Sequence, residues 1–212
     1  MITLVINPGS TSTKVALFSE LELLCKETLR HTALQLRKYE GLSEQIPFRR
    51  KLILSFLKKN DIKLDMIDHF IGRGGLMKPV KSGIYKVNEL MVKHLTSGEY
   101  GVHASNLGGL LALELSKKYN KDAYIADPVV VDEMSSVAKI SGLNGINRRS
   151  LWHALNQKAV AKRYADTQGK KYENMNLIVA HLGGGISVGL HKRGRVTDVN
   201  NALDGDGPFS PE

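Results

Sequence analysis

The sequence has one cysteine and one tryptophan in 212 residues, and only 6% of its residues are aromatic. The single cysteine, Cys25, excludes a disulfide framework or a cysteine-based zinc cluster within the chain. No apolar run approaches the roughly 20 residues of a membrane-spanning helix. The first residues also lack the charged leader and cleavage site of a signal peptide. We therefore expect a cytoplasmic protein with no membrane partner.

Acidic residues are fewer than basic ones, 21 against 30, and the formal net charge is +9. This excess favours anionic partners, which phosphate-bearing small molecules satisfy as well as nucleic acid does. The basic residues are scattered and do not alternate with aromatic residues, so we expect no nucleic-acid partner. A hydrophobic content of 42% is enough to bury a core in one large or two small domains.

Two short loops rich in glycine or hydroxyl groups stand out. The first loop, residues 7–14, reads Asn-Pro-Gly-Ser-Thr-Ser-Thr-Lys, and the second loop, residues 181–187, reads His-Leu-Gly-Gly-Gly-Ile-Ser. Strand-like runs flank both, and neither fits the common nucleotide-binding fingerprints. Glycine lets the backbone approach a phosphate, and successive N–H groups form an anion-binding nest. The pair indicates a nucleotide held between two halves of a protein, and two ordinary hairpin turns are the alternative.

Strand and helix patterns alternate along the chain, which predicts a mixed α/β fold. Helices are expected at 48–60, at 88–97 between an Asn88 cap and Gly98, at 107–119, and at 150–167 with Ser150 as cap. Strands are expected over much of 2–30 and at 66–72, 85–87 and 123–126, with a β-meander at 177–200. A glycine- and asparagine-rich stretch suggests two domains, 1–149 and 150–212. The segment 204–212 reads as a loop with nothing after it, so we expect a truncated chain.

Five motifs in order resemble the butyrate kinases, which are grouped with acetate and propionate kinases in the actin-like ATPase superfamily. The motifs are the first loop, Gly72-Arg73-Gly74-Gly75, residues 126–134, residues 148–156 and the second loop. The resemblance implies an actin-like ATPase (ribonuclease H-like) α/β fold. One complete domain would bind the acyl substrate and phosphate, and the opening β-meander would begin a second, nucleotide-binding domain.

The resemblance also implies the reaction and its residues. ATP and a short-chain carboxylate would give ADP and an acyl phosphate, with Mg²⁺ as cofactor. The implied catalytic residues are Arg73, His153 and Asp127, and the substrate would contact Arg73 and His103. Asn7 and Asp127 would hold the metal through water. The nucleotide phosphates would contact Asn7, Gly9, Ser10, Thr11, Ser12, Lys14, His181, Gly183, Gly184 and Gly185.

Other interpretations remain open at the level of sequence. The chain could be a non-catalytic fragment that binds phosphate or nucleotide, or it could have acetate or propionate specificity. An actin-like ATPase acting by domain motion is disfavoured by Arg73 and His153. In relatives an arginine and the adenosine-binding loops follow Glu212, so we expect these 212 residues alone to be inactive. A family-like homo-oligomer is expected only with that further part. Trp152 is expected in the core, Asp132 and Glu133 on a solvated face, and no function is expected for His31, His69, His94 and His191.

Overall fold

A computed structural model describes residues 1–205 of the chain, and it is mixed α/β as predicted. The strands are β1 (Ile2–Pro8), β2 (Ser12–Ser19), β3 (Glu22–Arg30), β4 (His69–Arg73), β5 (Ile84–Lys86), β6 (Ala123–Ala126), β7 (Asn176–Leu182), β8 (Ile186–Lys192) and β9 (Arg195–Val199). The α-helices are α1 (Ala33–Leu36), α2 (Ile46–Lys59), α3 (Glu89–Ser97), α4 (Asn106–Lys117) and α5 (Ala154–Thr167).

The chain forms two compact units. The first comprises Met1–Lys78 and Gly83–Ala126, and the second comprises Pro79–Ser82 and Asp127–Glu212. These contact-defined units part after residue 126, whereas the sequence suggested domains that part at 149. The division into domains 1–149 and 150–212 stays a prediction. Residues 206–212 of the expected C-terminal loop lie outside the described residues.

A six-stranded mixed sheet, in the order β3-β2-β1-β4-β6-β5, organises the first unit. β1 pairs antiparallel with β2 and parallel with β4, and β4 pairs parallel with β6. Leu4 and Ile6 of β1 are fully buried because alternate strand residues point to the same face. Helix α4 packs on β1, β4 and β6, and nine of its twelve residues are buried. The core therefore lies where α4 covers the parallel strands.

Helix α3 begins and ends where its sequence predicted. The Asn88 side chain accepts a hydrogen bond from the Met91 N–H at 2.9 Å, which satisfies one of the unpaired donors of the first turn. Gly98 ends the helix with φ +72°, a left-handed conformation that glycine adopts without steric cost. The predicted capping residue and the predicted terminator are both confirmed.

The second unit contains the predicted β-meander, a three-stranded antiparallel sheet in the order β7-β8-β9. Helix α5 packs on β7. Trp152 is fully buried with Val131, Val196 and Val199, and its indole Nε1–H donates to the Val131 carbonyl at 2.7 Å. The expectation that Trp152 lies in the core is confirmed.

The start of α5 differs from the prediction. Ser150 was expected to cap the helix, but it is buried and donates from Oγ to the Val131 carbonyl at 2.7 Å. The helix begins at Ala154, and His153 holds the N-cap position without a capping bond from its side chain. The Ser150 hydroxyl therefore makes a tertiary hydrogen bond instead of the helix-capping bond that the local sequence predicted. None of the helices within residues 1–205 is long and apolar enough to span a membrane.

Candidate active site

The first loop is the tight connection of the β1–β2 hairpin, as predicted. The Gly9 N–H donates to the Ser12 carbonyl at 2.7 Å and closes the turn. Of the residues expected to contact phosphate, Asn7 and Ser12 are half-buried, whereas Ser10, Thr11 and Lys14 are exposed. The hydroxyls at the tip therefore lie at the surface of a turn that hydrogen bonds hold in one shape.

Arg49 of α2 lies beneath the first loop and is fully buried. Its guanidinium donates to the carbonyls of Gly9, Ser10 and Ser12 at 2.9, 3.4 and 3.1 Å. In a trans peptide the N–H points opposite to the C=O. Each of these peptides therefore turns its N–H away from Arg49. Arg49 therefore holds the turn in one shape from its carbonyl side.

The cation beneath the loop has no acidic partner in the ion pairs of residues 1–205. Its other donors bind Gln45 Oε1, at 2.9 and 3.1 Å, and Thr13 Oγ1, at 2.9 Å. Burial lowers the Arg49 pKa to about 10, so the group stays charged at neutral pH. The sequence analysis did not identify this residue as functional. Its positive charge favours an anion on the loop above it.

His31, expected to be without function, supports the same loop. It is buried, and its Nε2 lies 2.9 Å from Thr13 Oγ1. Burial, and then the charge of Arg49, lower its pKa to about 4. The imidazole is therefore neutral at physiological pH, and its hydrogen bond to Thr13 stabilises the loop.

Arg73 is the last residue of β4, and its position depends on close packing against α4. A Cβ on Gly72 would lie 2.1 Å from the Gly108 carbonyl oxygen, and one on Gly108 would lie 2.1 Å from the Arg73 carbonyl oxygen. Only glycine permits this approach. Burial lowers the Arg73 pKa, and no carboxylate within residues 1–205 forms an ion pair with it. A half-buried guanidinium without a counter-charge is suited to binding an anion.

His103 lies in the loop that precedes α4, in the same unit as Arg73. Its Nδ1 lies 2.8 Å from Ser105 Oγ and accepts the Ser105 N–H at 3.2 Å. Burial, and then the charge of Arg73, lower the His103 pKa. These interactions favour a neutral ring that carries its proton on Nε2. The two residues expected to contact the carboxylate thus belong to the same unit, and the charge of Arg73 acts on His103.

The second loop is the β7–β8 connection, and two expected histidines meet beside it. The rings of His153 and His181 stack with centroids 3.7 Å apart and planes 5° from parallel. A Cβ on Gly185 would lie 3.3 Å from His153 Cε1, whereas one on Gly184 would meet nothing within 4 Å. Gly185 therefore admits the His153 ring, and Gly184 leaves the tip of the loop open.

Asp127 directly follows β6, with a φ of +35° that is uncommon for a residue other than glycine. Its Oδ1 accepts a hydrogen bond from Ser82 Oγ at 2.6 Å. Ser82 ends the short segment that joins the second unit, where Val80 pairs with Val131. Asp127 was expected in the domain of residues 1–149, and here it belongs to the same compact unit as His153.

Glu133 was expected on a solvated face, and that expectation is wrong. Its carboxylate forms a buried ion pair with Lys158 at 2.9 Å and accepts the Val196 N–H at 2.9 Å. Both partners are at least nine-tenths buried as side chains. The pair ties the segment after Asp127 to α5 and β9.

The donors suit a metal held mostly by water. Within residues 1–205, no group of three or more His, Cys, Asp or Glu side chains could hold an ion. Mg²⁺ commonly keeps several waters and takes one or two protein carboxylates together with phosphate oxygens. Asp127 and the Asn7 amide oxygen, the two expected ligands, are oxygen donors of that kind. Each residue is thus an oxygen donor of a kind that suits Mg²⁺, but the two belong to different compact units, and a shared metal site stays a prediction.

Solved structures show the fold. The acetate kinase of Porphyromonas gingivalis matches 94% of this chain with a TM-score of 0.66 at 20% identity, over 57% of its own chain. A propionate kinase of Francisella tularensis matches 94% with a TM-score of 0.64 at 18% identity, again over 57%. The fold is the acetate kinase type of the actin-like ATPase fold, as predicted.

Sequence comparison gives the relationship. Butyrate kinase 1 and butyrate kinase 2 of Clostridium acetobutylicum are each 54% identical to this chain over 209 residues, which is 99% of it. The chain is similar to these butyrate kinases over almost its whole length. A probable butyrate kinase of Clostridium botulinum is 53% identical over the same length. The chain spans 59% of the length of each of these relatives. No protein-family model matches it.

Proposed function

We propose that this chain supplies the acyl-binding and phosphate-binding groups of an enzyme that phosphorylates a short-chain carboxylate. Butyrate or a branched relative would accept the γ-phosphoryl group of ATP, and the reaction would be reversible. The observation that carries the proposal is Arg73, a half-buried guanidinium with no ion-pair partner within residues 1–205. The 54% identity to butyrate kinase 1 supports the choice of substrate class.

The chemistry requires few reactive side chains. A carboxylate with an ordinary pKa of about 4 to 5 is ionised at neutral pH, so the nucleophile needs no general base. The protein must instead hold two anions in line and offset the charge of the transferring phosphoryl group. Arginine and neutral N–H donors, in sites of low dielectric, perform that task.

The substrate carboxylate would bind Arg73, whose planar fork matches two oxygens at once. His103, with its Nε2 proton, would donate beside it. In the second unit, His153 would donate a hydrogen bond to the phosphoryl group, and Asp127 would orient the metal waters. These roles follow from the charge and donor state of each side chain and from the family resemblance.

The nucleotide phosphates would bind at the glycine loops. The amides above Arg49, the hydroxyls of Ser10 and Ser12, and Lys14 would contact phosphate oxygens at the first loop. His181 and Gly183 to Gly185 would line a phosphate at the second loop. Mg²⁺, when bound, supplies positive charge to the phosphate oxygens.

The proposal is tested with residues 1–212 joined to the part of butyrate kinase 1 that the similarity leaves uncovered, here called the completed chain. Acyl phosphate trapped with hydroxylamine should form from butyrate or isobutyrate and ATP-Mg²⁺ faster than from acetate. Authentic butyrate kinase 1 serves as the positive control. Equal or faster reaction with acetate would reject the butyrate preference, and no reaction with any carboxylate would reject the proposed function.

A further inference from the structure

We infer that a buried chain of hydrogen bonds running from Tyr172 through His191, Gln157 and Ser187, here called the relay, fixes the tautomer of His153, with the proton on Nε2. His191 and Ser187 belong to β8, Gln157 to α5, and Tyr172 precedes β7. The role of the Nε2 proton in catalysis rests on the proposed function, whereas the assignment of the tautomer rests only on the hydrogen bonds described below. The four residues of the relay would act as positioning residues.

The orientation of the Gln157 amide is determined by a backbone acceptor. Its Nε2 lies 3.0 Å from the Ser187 carbonyl oxygen, which can only accept. The same Nε2 lies 2.8 Å from Ser187 Oγ. The amide nitrogen therefore faces Ser187, and the amide oxygen faces the other way.

That oxygen fixes the proton of His191. Gln157 Oε1 lies 2.9 Å from His191 Nε2, so Nε2 must carry a hydrogen and donate it. The ring is fully buried, and burial, then the charge of Lys158, lower its pKa to about 4. The neutral ring then accepts at Nδ1, where the Tyr172 hydroxyl donates at 2.7 Å. Every polar atom along this part of the relay has a complementary partner.

Ser187 transmits the constraint to His153. Ser187 Oγ accepts from Gln157 Nε2 and lies 3.4 Å from the His153 backbone N–H, so its lone pairs are occupied. Its hydroxyl hydrogen then points to His153 Nδ1, which is 2.8 Å away. The opposite assignment would give Oγ three donors and leave the hydroxyl hydrogen without an acceptor. Nδ1 therefore accepts, and the proton of the neutral ring lies on Nε2.

The fixed proton lies on the side of the ring that faces the second loop. A Cβ on Gly185 would be 3.6 Å from His153 Nε2, so this edge lies against the loop proposed to bind phosphate. A neutral imidazole can donate there only as the Nε2–H tautomer. The relay thus prepares a donor at the edge that faces the loop before any phosphate is bound.

Two glycines make room for this arrangement. Gly185 admits the His153 ring, and a Cβ on Gly189 would lie 2.5 Å from Gln157 Oε1 and 3.2 Å from His191 Nε2. Neither glycine adopts a positive φ, so each serves by leaving space rather than by an unusual backbone conformation. Gly185 in the loop and Gly189 in the strand therefore leave the space that the relay and the His153 ring occupy.

The direct test is nitrogen-15 NMR of the imidazole rings in residues 1–212 at neutral to slightly alkaline pH. The spectrum should show His153 with a protonated Nε2 and an unprotonated Nδ1, and His191 in the same form. Signals are assigned by their loss in His153→Gln and His191→Gln. A proton on Nδ1 of His153, in a neutral or charged ring, would overturn the inference.

The relay is tested by Ser187→Ala, with Ser150→Ala as the matched control. Both serines are buried in the second unit, but Ser150 Oγ donates to the Val131 carbonyl. Without the Ser187 hydroxyl, His153 should populate both tautomers, and its two nitrogen shifts should converge. Ser150→Ala should leave the His153 spectrum unchanged. A wild-type spectrum for His153 in folded Ser187→Ala would show that the relay does not set the tautomer.

The NMR readout separates this inference from the proposed function. It needs no substrate, so the tautomer can be established even if the completed chain phosphorylates no carboxylate. Conversely, an active completed chain with His153 protonated on Nδ1 would reject only the inference. If Ser187→Ala does not fold, the wild-type spectra of His153 and His191 decide the question by themselves.

Discussion

Arg49 is fully buried and Arg73 is half-buried, and the partners of their guanidinium groups separate their roles. Three backbone carbonyls and two side-chain oxygens occupy the donors of Arg49. Arg73 has no ion-pair partner within the described part of the chain. Saturated donors stabilise the first loop, whereas a half-buried cation without a counter-charge favours binding an external anion. The two residues therefore differ in what their removal should change.

Replacing Arg73 should affect catalysis rather than folding. In the completed chain, Arg73→Ala should lower kcat/KM for butyrate by about two orders of magnitude or more, the scale of a lost charged contact in the transition state. Arg73→Lys should recover only part of this, because an ammonium cannot replace a planar fork. Initial rates of acyl phosphate formation measure both effects. A near-normal kcat/KM for the alanine variant would show that Arg73 binds no reacting group.

Replacing Arg49 should affect the stability of the first unit. Arg49→Met should lower the free energy of unfolding by about 2–4 kcal/mol, because several buried carbonyls lose their donors. Arg50→Met is the matched control. Arg50 is partly exposed, and its Nε lies 3.8 Å from Glu114 Oε1, which is a long and weak surface ion pair. Urea unfolding followed by circular dichroism measures the difference. Equal stabilities of the two variants would contradict the role assigned to Arg49.

The sequence contained a pattern that indicates burial of Arg49, but the charge of an arginine argues against that interpretation. Arg49, Ile53, Phe56 and Leu57 have the spacing of one helix face, and all four are buried. A helical pattern of this kind ordinarily assigns an arginine to the polar face, because buried charges are rare. The acceptors lie about 40 residues earlier, in the first loop, and no local pattern reveals them. Arg73, by contrast, was found because it stands among glycines in a family motif.

At the level of elements, close contact of β4 and α4 positions Arg73. Gly72→Ala should lower the free energy of unfolding of the first unit by about 2–4 kcal/mol, because its Cβ would overlap the α4 backbone. Gly9→Ala is the control, since its Cβ would meet only ordinary contacts at 3.6 and 3.8 Å. Thermal unfolding measures both. Tolerance of Gly72→Ala at the level of Gly9→Ala would show that the strand and helix are not tightly opposed.

Element ends were predictable where local side chains set them. Asn88 and Gly98 bound α3 through contacts within a few residues, and the sequence placed both ends correctly. The start of α5 depends on Ser150 bonding to Val131, a contact 19 residues distant, and the sequence placed it four residues too early. The positions of His153 and Gln157 relative to β8 follow from this tertiary packing. Only the structure could reveal the relay through Ser187.

At the scale of the whole molecule, motif order predicted the fold, and comparison with acetate and propionate kinases confirmed it. The sequence also predicted both hairpin loops and the meander. It could not show that residues 79–82 join the compact unit of Asp127 and His153, because Val80 pairs with Val131, about 50 residues later, and no local pattern reveals that contact. Which residues form the reacting site remains the subject of the proposed experiments.

The most direct test compares butyrate-dependent acyl phosphate formation by residues 1–212 with that by the completed chain. These residues correspond to 59% of the length of butyrate kinase 1, and the resemblance assigns the adenosine site to residues beyond the 212. We expect rapid product formation by the completed chain, and background product by residues 1–212 verified by mass. A folded completed chain that forms no butyryl phosphate would contradict the central claim that this chain carries the groups that bind the carboxylate and the phosphoryl donor.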